Sequence, residues 1–559
     1  MTTPRKCPHK KSQFKFIVTF LSIAFACNAY ASPASGFASH DQSANLNPSV
    51  SPSNYKEPLT SMQIDALVER TLKAFNVPGI SVAVVKDDNV VHAKGYGVRS
   101  IQSKLPMQSN TLVGIASNSK AFTAAALAIL VDEGKLNWND RVNNIIPEFK
   151  LYNPHVTEEF TVLDLMTHRS GMGLGAGDLM FFPDGSDFTI KDVIHNLRYL
   201  KQTSSFRSQF DYDNNLYIVA GEVIKRVSGL SSEEFIEQRI MRPLGMNASA
   251  ASITRLANKS NQVDPHVPVN GSLQVAPFKP NEVINAAGGI YSNVDDMTKW
   301  VRMQLNRGRY GEGLQQRLFS EKVQHEMWSP HTIIPMGPNG GSYNTHFTAY
   351  GIGWDVRDVK GYKQISHTGG LLGMVTQVTL IPELKLGIVV LTNQEQGAAF
   401  TAITNTIKDA YLGMPEIDRV KENADRVEKR EAEAEKITKE VWKAIDEQTK
   451  LNGKIKFNVT PYVGTFKDSW FGEVTIGVNK TGQLQWASKR SPALIGDLSF
   501  YKGSTFVVKW HDRSFNADAF VNFQLDTDGK AQSISMKAIS PLTDFSFDFH
   551  DLDLKRVNQ

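Results

Sequence analysis

The chain has 559 residues, 41% of them hydrophobic and 21% charged, so it can build two or three globular cores and shows no disorder-like bias. Its formal charge of +4 includes five basic and no acidic residues among the first 31, which leaves about −1 for the remainder and gives no basic surface to suggest nucleic acid or anionic lipid as a partner. The two cysteines, Cys7 and Cys27, both fall in that first segment, so disulfides, a thiolate nucleophile and a Cys-based metal site are excluded beyond it.

Residues 1–31 carry Arg5, Lys6, Lys10, Lys11 and Lys15, then an apolar run from Phe16 to Ala26, then Ala29-Tyr30-Ala31. That layout predicts a cleavable secretory signal with cleavage after Ala31 and a periplasmic or secreted product. Cys27 raises the alternative of a lipid anchor, but Ala24-Phe25-Ala26 lacks the aliphatic-then-small pattern expected before a lipidated cysteine. No later segment approaches the roughly 20 uninterrupted apolar residues of a membrane span. Residues 32–60, rich in Ser, Pro and Asn, bury too little to offset their ordering entropy and read as a flexible leader.

From 61 to 413 the pattern mixes strands (Ile80 to Val85, Val375 to Ile381, Gly387 to Leu391) with helices (Ala116 to Asp132, Leu216 to Val227), which predicts one large α and β domain. Pro382 to Lys385 joins two of those strands as an antiparallel hairpin, with the strand entering from Ile365 as a third neighbour. Residues 414–453 form a charged linker: Glu416 to Lys450 holds 20 charged residues in 35, yet Val420, Ala424, Val427, Ala434, Ile437, Val441 and Ile445 recur at helical spacing. One long surface helix is expected, as a spacer or, alternatively, as a coiled-coil dimer seam. Residues 454–559 change to short alternating strands, a small antiparallel barrel or sandwich with exposed aromatics such as Trp470 and Phe471.

Ser117-Asn118-Ser119-Lys120 opens a strongly helical run, so Ser117 and Lys120 lie one turn apart on one face. A serine hydroxyl needs a base, and a lysine serves as one only if burial and neighbours lower its pKa. The apolar run after Lys120 suits that. Ser-x-x-Lys alone means little, since Ser12/Lys15, Ser53/Lys56 and Ser499/Lys502 match it too. Ser117 differs in having Tyr212-Asp213-Asn214 95 residues downstream and His367-Thr368-Gly369 250 residues downstream. Tyr291-Ser292-Asn293 is a rival Tyr-x-Asn. His168 beside Ser170 invites a Ser-His reading, but no Gly-x-Ser-x-Gly elbow occurs, and a packing role is assigned. The glycines at 171, 173, 175 and 177 do not form a dinucleotide fingerprint, and no zinc pattern occurs, so no cofactor or metal is expected.

On these elements the chain resembles the serine β-lactamase and penicillin-binding protein superfamily, most closely class C β-lactamases and related esterases and D-amino-acid peptidases. Val77 to Val85, Leu165 to Met172, Ala286 to Ser292 and Tyr350 to Trp354 are similar to segments of the same family. The resemblance covers about Ser61 to Gly413 and implies an α+β (α/β sandwich) fold with a central antiparallel sheet, while the C-terminal part looks like the lipocalin-like β-barrel appended to some members. It implies Ser117 as nucleophile, Lys120 as its base and Tyr212 as a proton relay. Asn214 would hold Lys120 and the substrate amide, His367, Thr368 and Gly369 would contact substrate, and the backbone N–H groups of Ser117 and Gly370 would form the oxyanion hole. His367 stands where β-lactamases of this pattern usually carry a lysine, which leans the expectation toward peptidases and esterases. The leading expectation is a serine hydrolase acting on D-residue-containing or cell-wall-type peptides. A β-lactamase or carboxylesterase is the runner-up, and a catalytically silent cell-wall peptide-binding protein is the alternative of another class. A small-molecule or peptide substrate is the expected partner, and homo-oligomerisation stays open.

Overall fold

Along Gly79–Lys86 and Leu386–Thr392 every residue except the last lysine is buried, so these strands must be covered on both faces. Side chains alternate across a strand. Val82, Val84, Ile388 and Val390 join one core with the helices Ser61–Ala74 and Gly397–Tyr411. Ala83, Val85, Val389 and Leu391 join the other, which surrounds the helix Ser119–Asp132. The computed structural model describes residues 54–279, 281–452 and 458–557; the predicted signal and most of the leader lie outside them.

The strands pair into one antiparallel sheet of eight, in the spatial order Asn89–Gly97, Gly79–Lys86, Leu386–Thr392, Met374–Ile381, Tyr362–Leu371, Asp355–Val359, Thr348–Tyr350 and Thr332–Ile333. The expected hairpin is there, with Ile381 opposite Leu386, and the strand through Ile365 is its third neighbour, with Ile365 opposite Leu380. Asp355–Val359 pairs with Tyr362–Leu371 only as far as Ser366. Among the described residues His367 to Leu371 therefore ladder with Met374–Val378 on one side, and their other edge is open. The helix Ser119–Asp132 is buried all round from Ser119 to Leu130, and its alanines let neighbouring elements approach closely: a Cβ on Gly353 would come within 2.9 Å of Lys120 O.

The long helix runs Arg419–Asn452. Its apolar stripe is taken up within the chain rather than kept for a dimer seam. Val420, Ala424 and Val427 pack on the outer face of the sheet, while Val441 and Ile445 pack on Val507 and Ile539 of the last domain; Ile437 is left 44% exposed. That domain is a closed barrel of eight antiparallel strands from Gly464–Asp468 to Leu554–Arg556. Trp470 and Phe471, expected to be exposed, are buried at 3% and 0% because the barrel rests on the large mixed domain there. Asn196 Nδ2 donates to Trp470 O (2.8 Å), Phe188 meets Phe471, and the Arg490 guanidinium lies 3.8 Å over the Phe188 ring while pairing with Asp187 and Asp192. No described helix is long and apolar enough to cross a membrane.

Candidate active site

Ala116 adopts φ +51°, and the chain makes one tight 3-10 turn, Ala116–Asn118, before the helix begins at Ser119. Ser117 thus sits in the turn and not in the helix proper, as the helical reading from Ala116 implied. The turn is pinned on both sides. Asn118 Nδ2 donates to Thr376 Oγ1 (2.8 Å), Ser119 Oγ accepts from Ile290 N (3.1 Å), and Ile115 N donates to Ile290 O (2.9 Å). Ser117 alone of Ala116–Lys120 is part-exposed.

Lys120 is fully buried, and its Nζ lies 3.0 Å from Ser117 Oγ, 2.7 Å from Asn214 Oδ1 and 3.0 Å from the carbonyl oxygen of Ala287. Asn214 Oδ1 and the Ala287 carbonyl can only accept, whereas a serine hydroxyl can donate. A neutral amine that donates to those two acceptors keeps a lone pair for the Ser117 proton, which is the arrangement a general base requires. The Tyr212 ring centroid is 4.9 Å from Nζ, and Tyr212 is 7% exposed. Four residues read from distant parts of the sequence are thus brought into one cluster.

Asn214 begins the helix Asn214–Ser228, with Asp213 as its N-cap. Its Nδ2 donates to Asp178 Oδ2 (2.8 Å), so each end of the amide has a partner inside the protein, and the second N–H of Nδ2 is the group left for a substrate. His168, with φ +52°, accepts from Asp213 N through Nδ1 (3.1 Å) and lies 4.3 Å from the Tyr212 ring. Its assigned packing role therefore includes fixing the turn that presents Tyr212.

His367 departs from the role implied for it. It is 2% exposed, with Nε2 2.8 Å from Tyr350 Oη and Nδ1 against the Thr368 carbonyl oxygen. The carbonyl can only accept, so Nδ1 carries the proton and Nε2 accepts from Tyr350. Burial, reinforced by the Lys120 charge, pushes its pKa down to about 3. His367 is a neutral ring at ordinary pH and supplies no positive charge. Gly369 does not face a substrate either: a Cβ there would meet the backbone oxygen of Ile115 at 2.3 Å, so glycine lets this strand press against the turn that carries Ser117. Thr368 and Gly370 are exposed, and a Cβ on Gly370 would meet nothing within 4 Å. The open edge His367–Leu371 thus runs beside Ser117 and presents backbone groups to the cleft.

The rival Tyr291 pairs with Gly114 in a two-residue ladder, and Asn293 caps the helix Val294–Leu305 through Asp296 N. Both are structural. Sequence reading missed the Ala287 carbonyl, Tyr350 and Asp178. Burial raises the Asp178 carboxyl well above the usual range, partly opposed by donation from Asn214 and Ser546, and burial raises Asp213 to about 7. Among the described residues no group of three or more His, Cys, Asp or Glu could hold a metal ion.

Three comparisons bear on this arrangement. The chain is 28% identical over 387 residues to the unguisins hydrolase ungD of Aspergillus violaceofuscus, covering 66% of this chain and 67% of that protein. It is also 28% identical over 338 residues to Protein flp of Staphylococcus aureus (strain NCTC 8325 / PS 47), covering 60% of this chain and 63% of that one, so it spans about two thirds of these relatives. The solved structure of the octameric penicillin-binding protein homologue from Pyrococcus abyssi overlays with a TM-score of 0.57 at 22% identity, covering 87% of this chain and 99% of that one, a likeness of fold. Residues 452–556 match a domain of unknown function, DUF3471. Residues 64–412, which hold Ser117, Lys120, Tyr212 and Asn214, match the family described as Beta-lactamase, and the chain belongs to that family.

Proposed function

We propose that this chain is a serine hydrolase that cleaves an amide or ester through an acyl-enzyme on Ser117. Ser117 Oγ attacks the substrate carbonyl carbon as its proton passes to Lys120 Nζ, and the oxyanion forms against the N–H groups of Ser117 and Gly370. Collapse breaks the bond to the leaving group, which takes a proton through Tyr212. Water then attacks the acyl carbonyl with the proton transfers reversed, releasing the acid and restoring the hydroxyl. The observation that carries this reading is Lys120 Nζ, sealed from water, 3.0 Å from Ser117 Oγ with two further partners that can only accept.

A D-residue-containing or cell-wall-type peptide is the favoured substrate. A neutral His367 leaves no fixed cation where a β-lactam carboxylate would be held. A relative named as an unguisins hydrolase supports a hydrolytic reaction. The second reading, a β-lactamase or carboxylesterase, shares the same nucleophile. Export to the periplasm or beyond follows from the signal-like first residues.

A fluorophosphonate or penicillin probe should label the protein once, on the peptide containing Ser117, and leave Ser117→Ala blank. Labelling that survives this substitution removes the reading. Absence of labelling in the unaltered protein supports the silent binding protein instead. D-aminoacyl amides, D-Ala-D-Ala peptides, short esters and a chromogenic cephalosporin, assayed side by side, separate the substrate classes.

A further inference from the structure

The barrel's last two strands, Ala531–Ala538 and Leu554–Arg556, are joined by a segment far longer than a hairpin needs, and it leaves the barrel to enter the hydrolase domain. Its aromatic residues are continuous with the barrel core: Trp486 meets Trp510, Trp510 stacks on Phe549 at 5.6 Å, Phe549 meets Phe547 at a tilt at 5.5 Å, and Phe547 meets Phe182 of the hydrolase domain edge-on at 4.9 Å. The segment is thereby held rigidly by both bodies.

Three of its residues converge on the turn Asp178–Met180. Asp548 accepts from Gly177 N (2.7 Å) and Leu179 N (3.0 Å), one with each carboxylate oxygen, and so fixes the backbone of that turn. Ser546 Oγ donates to Asp178 Oδ2 (2.8 Å), the same oxygen that accepts from Asn214 Nδ2. Phe545 lies edge-on to the Tyr212 ring at 5.8 Å, packed so closely over Gly175 that a Cβ there would come 2.8 Å from the phenyl ring. From the other side Gly175 N donates to Tyr212 O (2.8 Å) and Asn215 Nδ2 donates to Ala176 O (2.9 Å). The Asp178 turn is therefore clamped between the residues that carry Tyr212 and Asn214 and a segment that belongs to the barrel.

We propose that Ser546 is a positioning residue of the hydrolase site, acting from the C-terminal barrel through Asp178 and Asn214 to set the orientation of Lys120. It touches no reacting atom. Its hydroxyl holds Asp178 Oδ2 where that oxygen can take the Asn214 amide nitrogen, and this fixes Asn214 with its oxygen toward Lys120 Nζ. An asparagine not held in this way can turn its amide and present N–H groups to the Lys120 amine, which removes an acceptor that aims the lysine at Ser117. Asp178 and Asp548 are both fully buried and sense one another, so their charge balance also depends on the donors this segment supplies.

The inference rests on the reading of Ser117 and Lys120 given above. It is tested in the full-length protein with Ser546→Ala, Asp178→Asn, the double variant and Thr543→Ala, whose hydroxyl bonds only within the barrel, to Asn516 O. The second-order rate of fluorophosphonate labelling is followed against pH, with melting temperature as the check on folding. Ser546→Ala should slow labelling roughly tenfold and displace the acid limb of its pH profile, as expected for one lost buried hydrogen bond. The double variant should be no slower than Asp178→Asn alone, because the two residues act in series. Thr543→Ala should match the unaltered protein. Losses that add in the double variant, or a Ser546→Ala profile superimposable on the unaltered one while Ser117→Ala is blank, overturn this inference and leave the nucleophile in place. Labelling of Ser117→Ala overturns the underlying reading instead.

Discussion

Two lysines are sealed inside the hydrolase domain, on opposite sides of the same sheet. Lys120 is 0% exposed and Lys408 3% exposed. Lys408 Nζ donates to Gln364 Oε1 (3.0 Å) and lies 3.9 Å over the Tyr343 ring, beside the Asp409 and Arg419 pair, and burial pushes its pKa down to about 7. By burial alone Lys408 is as good a candidate base as Lys120. It has no hydroxyl in reach of substrate and no cleft, because the helices Gly397–Tyr411 and Arg419–Asn452 close over it. A buried amine becomes chemistry only when a nucleophile and an open strand edge stand next to it.

The largest effect that would break this contrast is expected at Lys120. Lys120→Met should reduce the rate of Ser117 labelling by about a thousandfold, the scale of a lost general base, and a near-normal rate would make burial irrelevant to the assignment. Next is Gly369→Ala, where the added methyl meets a backbone oxygen that cannot move aside. A loss of about 1–3 kcal/mol in stability together with slowed labelling is expected from denaturant melts and kinetics, and an unchanged protein would show that the strand does not press on the Ser117 turn.

Lys408→Met sharpens the comparison from the other side. Labelling should be unchanged, while the pH dependence of stability changes. A lysine with a folded pKa of about 7 and an unfolded value of 10.5 penalises the fold fully below pH 7, and that penalty fades as pH rises between the two values. The unaltered protein should therefore gain stability from pH 7 to 9, and Lys408→Met should lose that part of the slope in urea melts at several pH values. The smallest effect is expected for Tyr291→Phe, which should leave the labelling rate unaltered; a marked loss would return the rival Tyr-x-Asn to consideration.

The same contrast shows what the sequence made legible. Ser117, Lys120, Tyr212 and Asn214 could be read because each sits at a fixed offset in a short motif, and the hairpin after Met374 because alternation and a turn signal coincide. Lys408 gave no signal, since its partners come from Gln364 and Tyr343 and nothing local marks a buried cation. The Ala287 carbonyl is invisible in a side-chain pattern. Asp178 lay in a stretch read as glycine-rich turn, and its donor Ser546 is 368 positions away. Trp470 and Phe471 looked exposed because they lie in a turn between two strands, and nothing local shows that a second body rests on it. His367 was placed by motif, while its protonation state depends on Tyr350 and on burial that only the assembled fold supplies.

The segment that carries Ser546 and Asp548 also imposes an order of events on biosynthesis. A ribosome makes Ser117, Lys120 and Tyr212 long before it reaches the barrel's closing strands, so a nascent or C-terminally clipped chain holds the reactive trio without the Asp548 carboxylate that grips the Asp178 turn. The barrel has to close on this segment before the Asp178 turn is gripped from both sides. Proteolytic removal of the closing strands should loosen the Asp178 turn before it unfolds the eight-stranded sheet.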